Sequence, residues 1–270
     1  MNFDDILLTM KRNPVLFGCY RTIKKCSLYQ KIIRSPRDKK FESDFEKFRQ
    51  LSEGNNPRFP INWGDRNPCL DDNTKDTSFD SHYIYHPAWA ARIIRQNNPP
   101  YHVDISSTLH FCSILSTFIP VRFFDYRPVN LNLENVSCGA ADLTSLPFDD
   151  KSITSLSCMH TIEHIGLGRY GDPLDPDGDL KAIAELKRVL ADNGNLLIVV
   201  PVGKSRIMFN AHRIYSYEQL LRSFSDLELV EFSLVSDTGM KDGIIKNATR
   251  AQADACMYGC GCFWFRKTKK

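Results

Sequence analysis

The sequence predicts an α/β fold in which a mostly parallel, doubly wound sheet carries helices on both faces. From about residue 79 onward, short apolar runs alternate with amphipathic stretches, which is the pattern of parallel strands joined by helical crossovers. The chain has 270 residues, of which 42% are hydrophobic and 25% are charged. This composition argues against a disordered or fibrous protein and allows one large core plus an arm.

The predicted helices of this domain share apolar residues at helical spacing. They cover residues 88–96, 107–118, 180–190 and 217–224. The predicted strands are short apolar runs between these helices. They cover residues 101–105, 121–126, 140–143, 153–159, 195–200, 227–235 and 261–266. Because no strong helix separates the last two, the seven-stranded sheet is expected to end in an antiparallel strand.

Residues 1–78 predict a basic N-terminal helical arm followed by an irregular linker, and residues 79–270 the α/β domain. Residues 1–60 contain 13 Lys and Arg against 7 Asp and Glu, and residues 41–51 have the spacing of an amphipathic helix. We interpret the positive charge as a solvated helical face, with an anionic partner as the alternative. Aromatic residues do not alternate with the basic ones, so no nucleic-acid partner is expected.

The sequence predicts neither membrane insertion nor secretion. The longest apolar stretch, residues 196–202, is far shorter than a membrane-spanning helix, and the first residues are acidic where a signal peptide is basic. The nine cysteines include no CxxC pair, and Cys260 and Cys262 fall in an apolar run, where we interpret them as packing residues. A reduced, cytoplasmic location is expected.

Acidic residues stand at the ends of three successive predicted strands, where a doubly wound sheet binds its ligands. Asp125 lies 21 residues after Asp104, the offset at which an acid accepts hydrogen bonds from a ribose diol. Asp142, at the end of the third strand, is placed to accept from an adenine amine. The alternative for each acid is a helix-capping or turn residue.

The order and spacing of these motifs resemble those of the class I S-adenosylmethionine-dependent methyltransferases. The segments that carry the resemblance are VDIS, FFDYR, ADLTSLPF, SLSCMHTIEHI and ELKRVLADNGNLLIVVP. HYIYHPAWAARI, EHIGLGRYGDP and FNAHRIYSYEQL resemble a branch known from nematodes and bacteria, whose substrates are unassigned. The resemblance covers about residues 79–267 and implies a Rossmann-like methyltransferase fold with S-adenosylmethionine as the cofactor.

The resemblance also implies which residues bind S-adenosylmethionine. Asp104 and Ser106 would line the methionine end, and Asp125 would hold the ribose. The other implied residues, at the adenine or beneath the sulfonium, are Tyr126, Asp142, Leu143, Met159 and His160.

One departure from the family concerns the loop after the first strand, which is normally rich in glycine. Here no glycine occurs between Asp104 and Cys138, and Ser106 and Ser107 stand in the loop. A dinucleotide pyrophosphate needs glycines for close backbone approach, so this loop argues against NAD. Adenosylmethionine has no phosphates, and its carboxylate can be met by serine hydroxyls and by amides opening the next helix.

The segment His160-x-x-Glu163-His164 matches an inverted zinc-peptidase pattern. It also resembles the E-x-x-E-H metal segment of quinone-pathway O-methyltransferases, with His160 in place of the first Glu. The glycines from residue 166 onward argue against a helix long enough for the peptidase pattern, so no metal is expected, although a divalent ion stays open. We predict His164 as the general base, with His212 second; the alternative for His164 is a ring that caps a backbone carbonyl.

Two further groups of residues flank this predicted pocket. The acidic loop at residues 171–179 lacks the Gly and Glu of an EF-hand; we expect Asp177 or Asp179 to cap the following helix and Asp172 or Asp175 to face the pocket. Arg213 is either a pocket residue or part of a loop salt bridge. The aromatic residues ahead of the first strand are predicted to form a lid or simply to pack. They are Tyr83, Tyr85, His86 and Trp89.

The sequence thus predicts an enzyme that transfers a methyl group to a small polar or carbohydrate acceptor, most readily at a hydroxyl. Such a transfer needs alignment, exclusion of water and a base. The alternatives are a catalytically inactive scaffold that binds S-adenosylmethionine, and a zinc hydrolase built on the HxxEH segment.

Overall fold

The structure is a computed structural model, and it describes residues 36–53 and 59–269. The chain divides into two compact units, Met1–Thr77 and Ser78–Lys270. Among the helices in these described ranges, none combines the length and the apolar character that crossing a bilayer requires.

The first unit contains helix α1, Pro36–Glu53, which is longer at both ends than the predicted residues 41–51. Its Phe41 and Phe45 rings pack on Trp63, at centroid distances of 5.9 and 4.8 Å. Leu51 on the same predicted face is exposed. The apolar face is therefore only partly covered within this unit, at Phe41 and Phe45. The basic residues before 36 lie outside the described part of the chain.

The second unit is built on one mixed sheet of eight strands. Their bounds, in chain order, are β1 His102–Ile105, β2 Val121–Asp125, β3 Val136–Ala140, β4 Ile153–Met159, β5 Leu190–Val202, β8 Glu228–Val235, β9 Ile244–Lys246 and β10 Gly259–Arg266. A separate hairpin joins β6 Arg206–Met208 to β7 His212–Ile214. The sheet order is β3-β2-β1-β4-β5-β10-β8-β9.

The predicted doubly wound architecture is confirmed. The first five strands in this order are parallel, and β10 runs antiparallel between β5 and β8. The eighth strand was not predicted: β9 is three residues long and pairs with the end of β8 at the sheet edge. Three residues are too few to show a strand pattern in the sequence.

Helices cover both faces of this sheet. Their bounds are α2 Ser81–Asn97, α3 Leu109–Leu115, α4 Gly178–Val189, α5 Tyr217–Ser223, α6 Gly239–Asp242 and α7 Arg250–Asp254. On one face α2 and α3 bury Trp89, Ile93 and Phe111 against the strands. On the other face α4 and α5 bury apolar residues such as Leu186 and Leu220. The two layers hold the carboxyl ends of β1, β2 and β4 together at one edge of the sheet.

Helix α2 begins seven residues earlier than the predicted residue 88. The Asp80 carboxylate accepts hydrogen bonds from the amides of His82 and Tyr83, so it caps the helix before Pro87 is reached. Pro87 indicates a helix start in the sequence but lies inside the helix in the structure. The extra turns place His82 and His86 one above the other on the buried face.

Candidate functional site

Two adjoining cavities open at the carboxyl ends of the parallel strands. The edge cavity, of about 300 Å³, is lined by residues that follow β1, β2, β3 and β4 and by the loop before α4. The histidine cavity, of about 600 Å³, lies beside it and reaches the β6–β7 hairpin. Both are lined by Ser106, Ser107, His160, His164 and Tyr170. Molecules bound in the two cavities would therefore meet at these shared residues.

The loop after β1 is fixed by hydrogen bonds to its neighbouring strands. The Ser106 amide donates to the Phe124 carbonyl at 2.8 Å, and the Ser107 hydroxyl accepts from the Met159 amide at 3.1 Å. Ser106 has a φ of 57°, in the left-handed region where a glycine would be unstrained. The serine loop thus keeps the backbone conformation that glycine usually supplies.

Asp104 lies beneath this loop and lines neither cavity. It is fully buried, and its carboxylate accepts hydrogen bonds from the Ser107 amide at 3.0 Å and from the Ser157 hydroxyl. Burial raises its pKa to about 6, against the opposing effect of these hydrogen bonds. Asp104 therefore holds the loop in place, whereas the sequence predicted that it would line the methionine end itself.

The left-handed backbone conformation of Ser106 allows a test of how this loop is stabilised. We expect Ser106→Gly to stabilise the protein by about 0.5–1 kcal/mol, because removal of the left-handed strain outweighs the added freedom of the unfolded chain. Ser107→Gly should act in the opposite direction, costing about 1–3 kcal/mol, since it leaves the buried Met159 amide without its partner. Urea unfolding measures both. A loss of stability in Ser106→Gly would show that its hydroxyl matters more than the strain.

Asp125 and Asp142 lie together in the edge cavity, beside Leu143 and Tyr126. Asp125 Oδ1 accepts from the Arg127 amide at 2.7 Å, and Asp142 Oδ1 accepts from the Thr144 amide at 2.8 Å. In the part of the chain that the structure describes, neither Oδ2 atom takes a hydrogen bond. Each acid therefore acts as a turn residue through one oxygen and offers the other to a ligand.

The loop between β4 and α4 closes the far side of the edge cavity. Gly166 has a φ of 81°, and a Cβ there would lie 2.0 Å from the Asp175 carbonyl oxygen, so only glycine fits. Asp172 and Asp175 both line the cavity, as predicted for one of them. Asp177 is the N-cap residue of α4, as predicted, but its side chain makes no capping hydrogen bond. Asp179 instead accepts from the Tyr215 hydroxyl at 2.9 Å.

Glu163 is enclosed between two histidines directly after β4. Its Oε1 accepts a hydrogen bond from His160 Nδ1 at 3.0 Å and lies 3.8 Å from His164 Nε2. Burial lowers the pKa of His160, whereas the Cys260 thiol and the Glu163 carboxylate raise it, and the net shift is upward. Residues 162–164 form one 3₁₀ turn, so the helical face that the HxxEH zinc-peptidase pattern requires does not form.

His164 lines both cavities and is held by its neighbours. Its Nδ1 lies 2.6 Å from the Ala211 carbonyl oxygen, and we assign the proton to Nδ1 because that carbonyl can only accept, so Nε2 carries the lone pair and is the basic site. The predicted carbonyl-capping contact is therefore present, and it orients the ring without occupying Nε2.

His212, on the β6–β7 hairpin, lines the histidine cavity together with aromatic and polar residues from other parts of the second unit. Its ring centroid lies 6.3 Å from that of His164 and 5.0 Å from that of Tyr258, and burial lowers its pKa. Burial raises the pKa values of Tyr83 and Tyr258 to about 12, so both hydroxyls stay protonated. Arg169 and Asn210 add hydrogen-bond donors to the same lining.

Arg213 faces away from both cavities. It is buried, lies 3.5 Å from Asp179, and donates to the Ile165 carbonyl at 2.6 Å, so it is part of a loop salt bridge.

Of the aromatic residues considered as a lid, Tyr83 lines the histidine cavity. Trp89 is buried and donates to Glu231. Tyr258, which the sequence did not single out, comes from the turn before β10 and has no local pattern that could have identified it.

The match to a family model falls on this part of the site. Residues 149–253 match DUF268, described as a Caenorhabditis protein of unknown function. The matched segment contains β4, Glu163 with its two histidines, and the hairpin that carries His212. A search of curated protein sequences gave no match.

Solved structures similar to the chain include two bacterial proteins. YcgJ from Bacillus subtilis is 14% identical, with a TM-score of 0.45, covering 68% of this chain and 100% of its own. The 1,6-didemethyltoxoflavin-N1-methyltransferase of Burkholderia thailandensis, solved with 1,6-didemethyltoxoflavin and S-adenosylhomocysteine, is 13% identical, with a TM-score of 0.47, covering 88% of this chain and 92% of its own. Both likenesses are distant, and neither carries an inference about chemistry.

Proposed function

We propose that the protein is an S-adenosylmethionine-dependent methyltransferase that methylates a hydroxyl of a small polar or carbohydrate acceptor. The observation that supports this most is the pairing of two cavities at the strand ends. One offers two carboxylates and a serine loop, and the other offers histidines, and they meet at His160 and His164. A donor and an acceptor can thus be bound side by side.

The edge cavity fits the donor by its chemistry. Asp125 Oδ2 would accept from the ribose hydroxyls, and Asp142 Oδ2 from the adenine amine. Leu143 is buried and offers apolar surface for the adenine ring. The Ser106 and Ser107 hydroxyls would face the methionine carboxylate, which requires no close glycine approach. S-adenosylmethionine supplies an electrophilic methyl group on a sulfonium.

The histidine cavity fits a hydroxyl acceptor. His164 would take the proton of the attacking hydroxyl at Nε2, while Ala211 holds its other nitrogen. The buried Glu163 carboxylate, 3.8 Å from Nε2, would stabilise the resulting imidazolium. His212 is the second candidate for the base, since it lines the histidine cavity but not the edge cavity.

The nature of the acceptor is inferred from the remaining lining. The rings of Tyr83 and Tyr258 offer flat surfaces on which a sugar ring can stack, and Arg169 and Asn210 offer hydrogen-bond donors. This combination of aromatic and polar groups favours a carbohydrate or another small polar molecule over an apolar one.

Calorimetric titration of the purified chain with S-adenosylmethionine and S-adenosylhomocysteine tests the donor site. We expect one site per chain for both ligands. Absence of binding would refute the proposal and leave only the fold. After binding is established, transfer of labelled methyl to glycans and nucleotide sugars tests the acceptor class. Donor binding without transfer to any acceptor pool would favour the inactive scaffold instead.

A further inference from the structure

Three buried potential metal ligands from distant parts of the second unit converge at His160, in the wall of the histidine cavity. They are His82 at the start of α2, His160 after β4 and Cys260 on β10. One ligand atom of each lies within 4.8 Å of those of the other two. Cys260 is fully buried, and each histidine is 9% exposed.

Unpaired polar atoms surround this cluster. Among the described residues, four buried side-chain atoms lack a hydrogen-bond partner: His86 Nε2, His160 Nε2, Glu163 Oε2 and His212 Nε2. The His86 ring lies 5.1 Å from the His160 ring, and Glu163 is bonded to His160. A buried polar group without a partner costs about 1–3 kcal/mol. His160, Glu163 and His212 also line the histidine cavity, whereas His86 lies beside His160, so an ion at the cluster would satisfy the free nitrogens of His160 and His86.

We propose that His82, His160 and Cys260 bind a zinc ion. Imidazole nitrogen and thiolate sulfur select zinc and related transition metals over magnesium and calcium, which prefer oxygen ligands. His160 is already arranged as such a ligand. Its Nδ1 donates to Glu163, so Nε2 is the nitrogen left for an ion, and ion binding would release any proton held there. An outer carboxylate of this kind is the usual partner of a metal-bound histidine.

Ion binding requires a small local adjustment. The His82 and His160 rings are stacked, with an interplanar angle of 4° and centroids 5.8 Å apart. In a tetrahedral zinc site the ligand atoms lie roughly 3.3–3.7 Å from one another, given the usual zinc–nitrogen and zinc–sulfur distances. The rings must therefore turn out of the parallel arrangement, and the three atoms must approach by about 1 Å. His86 Nε2 or a water molecule would take the fourth position.

The proposed site is distinct from the HxxEH segment, with which it shares His160 alone. It would join the first helix of the α/β unit to its last strand, so metal binding would stabilise this unit. The proposal also revises the interpretation of Cys260, which the sequence assigned to packing. It shares His160 with the place where the two cavities meet, but its test is separate from that of methyl transfer, because metal binding is measured without donor or acceptor.

Cobalt(II) provides the test, since it substitutes for zinc and is visible by absorption. Titration of the reduced, metal-stripped full chain should give one equivalent of bound cobalt, a near-ultraviolet sulfur-to-cobalt charge-transfer band, and displacement of cobalt by zinc. Absence of the charge-transfer band would overturn the proposal whatever the variants do. This measurement needs no substitution and is unaffected by a variant that fails to fold.

The ligands are tested by three matched variants. Cys260→Ser and His82→Gln should each lower cobalt affinity at least tenfold, and zinc should raise the melting temperature of the wild type but not of Cys260→Ser. Cys262→Ser is the control, because the Cys262 Sγ lies 3.9 Å from that of Cys260 and is equally buried but is outside the cluster. Unchanged affinity in Cys260→Ser, or an equal loss in Cys262→Ser, would refute this set of ligands.

Discussion

Replacing Asp125 by Asn is expected to weaken S-adenosylhomocysteine binding by about 10²-fold to 10⁴-fold. Hydrogen bonds to a charged group contribute about 1.5–3 kcal/mol each, and the carboxylate is proposed to accept from both ribose hydroxyls. The substitution keeps Oδ1 as an acceptor for the Arg127 amide, so the turn after β2 should persist. Calorimetric titration of the variant beside the wild type measures the change.

The matched control for this experiment is Asp149→Asn. Asp149 is exposed and lines neither cavity, so the same chemical change there should leave affinity within about twofold. If Asp125→Asn binds S-adenosylhomocysteine as tightly as the wild type does, the proposed contact between Asp125 and the ribose would be refuted. That result would leave Asp125 with the turn role that its bond to the Arg127 amide already demonstrates.

Most strands could be predicted because their signal is local, although the third was placed at residues 140–143 and lies at Val136–Ala140. Strand β4 was predicted with its bounds, Ile153–Met159, since a short apolar run between turn residues is a sufficient pattern. The place of Asp125 in the edge cavity could be predicted in the same way, because it ends a parallel strand of a doubly wound sheet. Such inferences need only the order of elements and the position of a residue within them.

Other features depend on side-chain direction or on distant contacts. The position of Asp104 was predicted correctly, yet its carboxylate turns under the loop toward Ser157, which no spacing reveals. The cluster of His82, His160 and Cys260 joins residues up to 178 positions apart in the sequence. Each of them fits ordinary helix, turn or strand packing, so their meeting can be seen only after the chain is folded.

The second large effect is expected on the rate of methyl transfer when the proposed general base, His164, is replaced. His164→Gln should lower the rate constant kcat for methyl transfer by about 10²-fold to 10⁴-fold, the usual contribution of a general base. Donor affinity should change by less than about threefold, because the donor is assigned to the acids and the serine loop. A glutamine amide can still donate to the Ala211 carbonyl, so the substitution removes the base and retains the contact that orients the side chain.

Single-turnover measurement with a saturating acceptor separates this effect from binding, since kcat falls while the donor Kd stays constant. His110→Gln is the matched control, because His110 is exposed and lines neither of the two cavities. If His164→Gln keeps the full rate and His212→Gln loses most of it, the general base would be His212, on the β6–β7 hairpin. Full rates in both would mean that the acceptor is already nucleophilic enough to need no histidine, and the hydroxyl class would have to be abandoned.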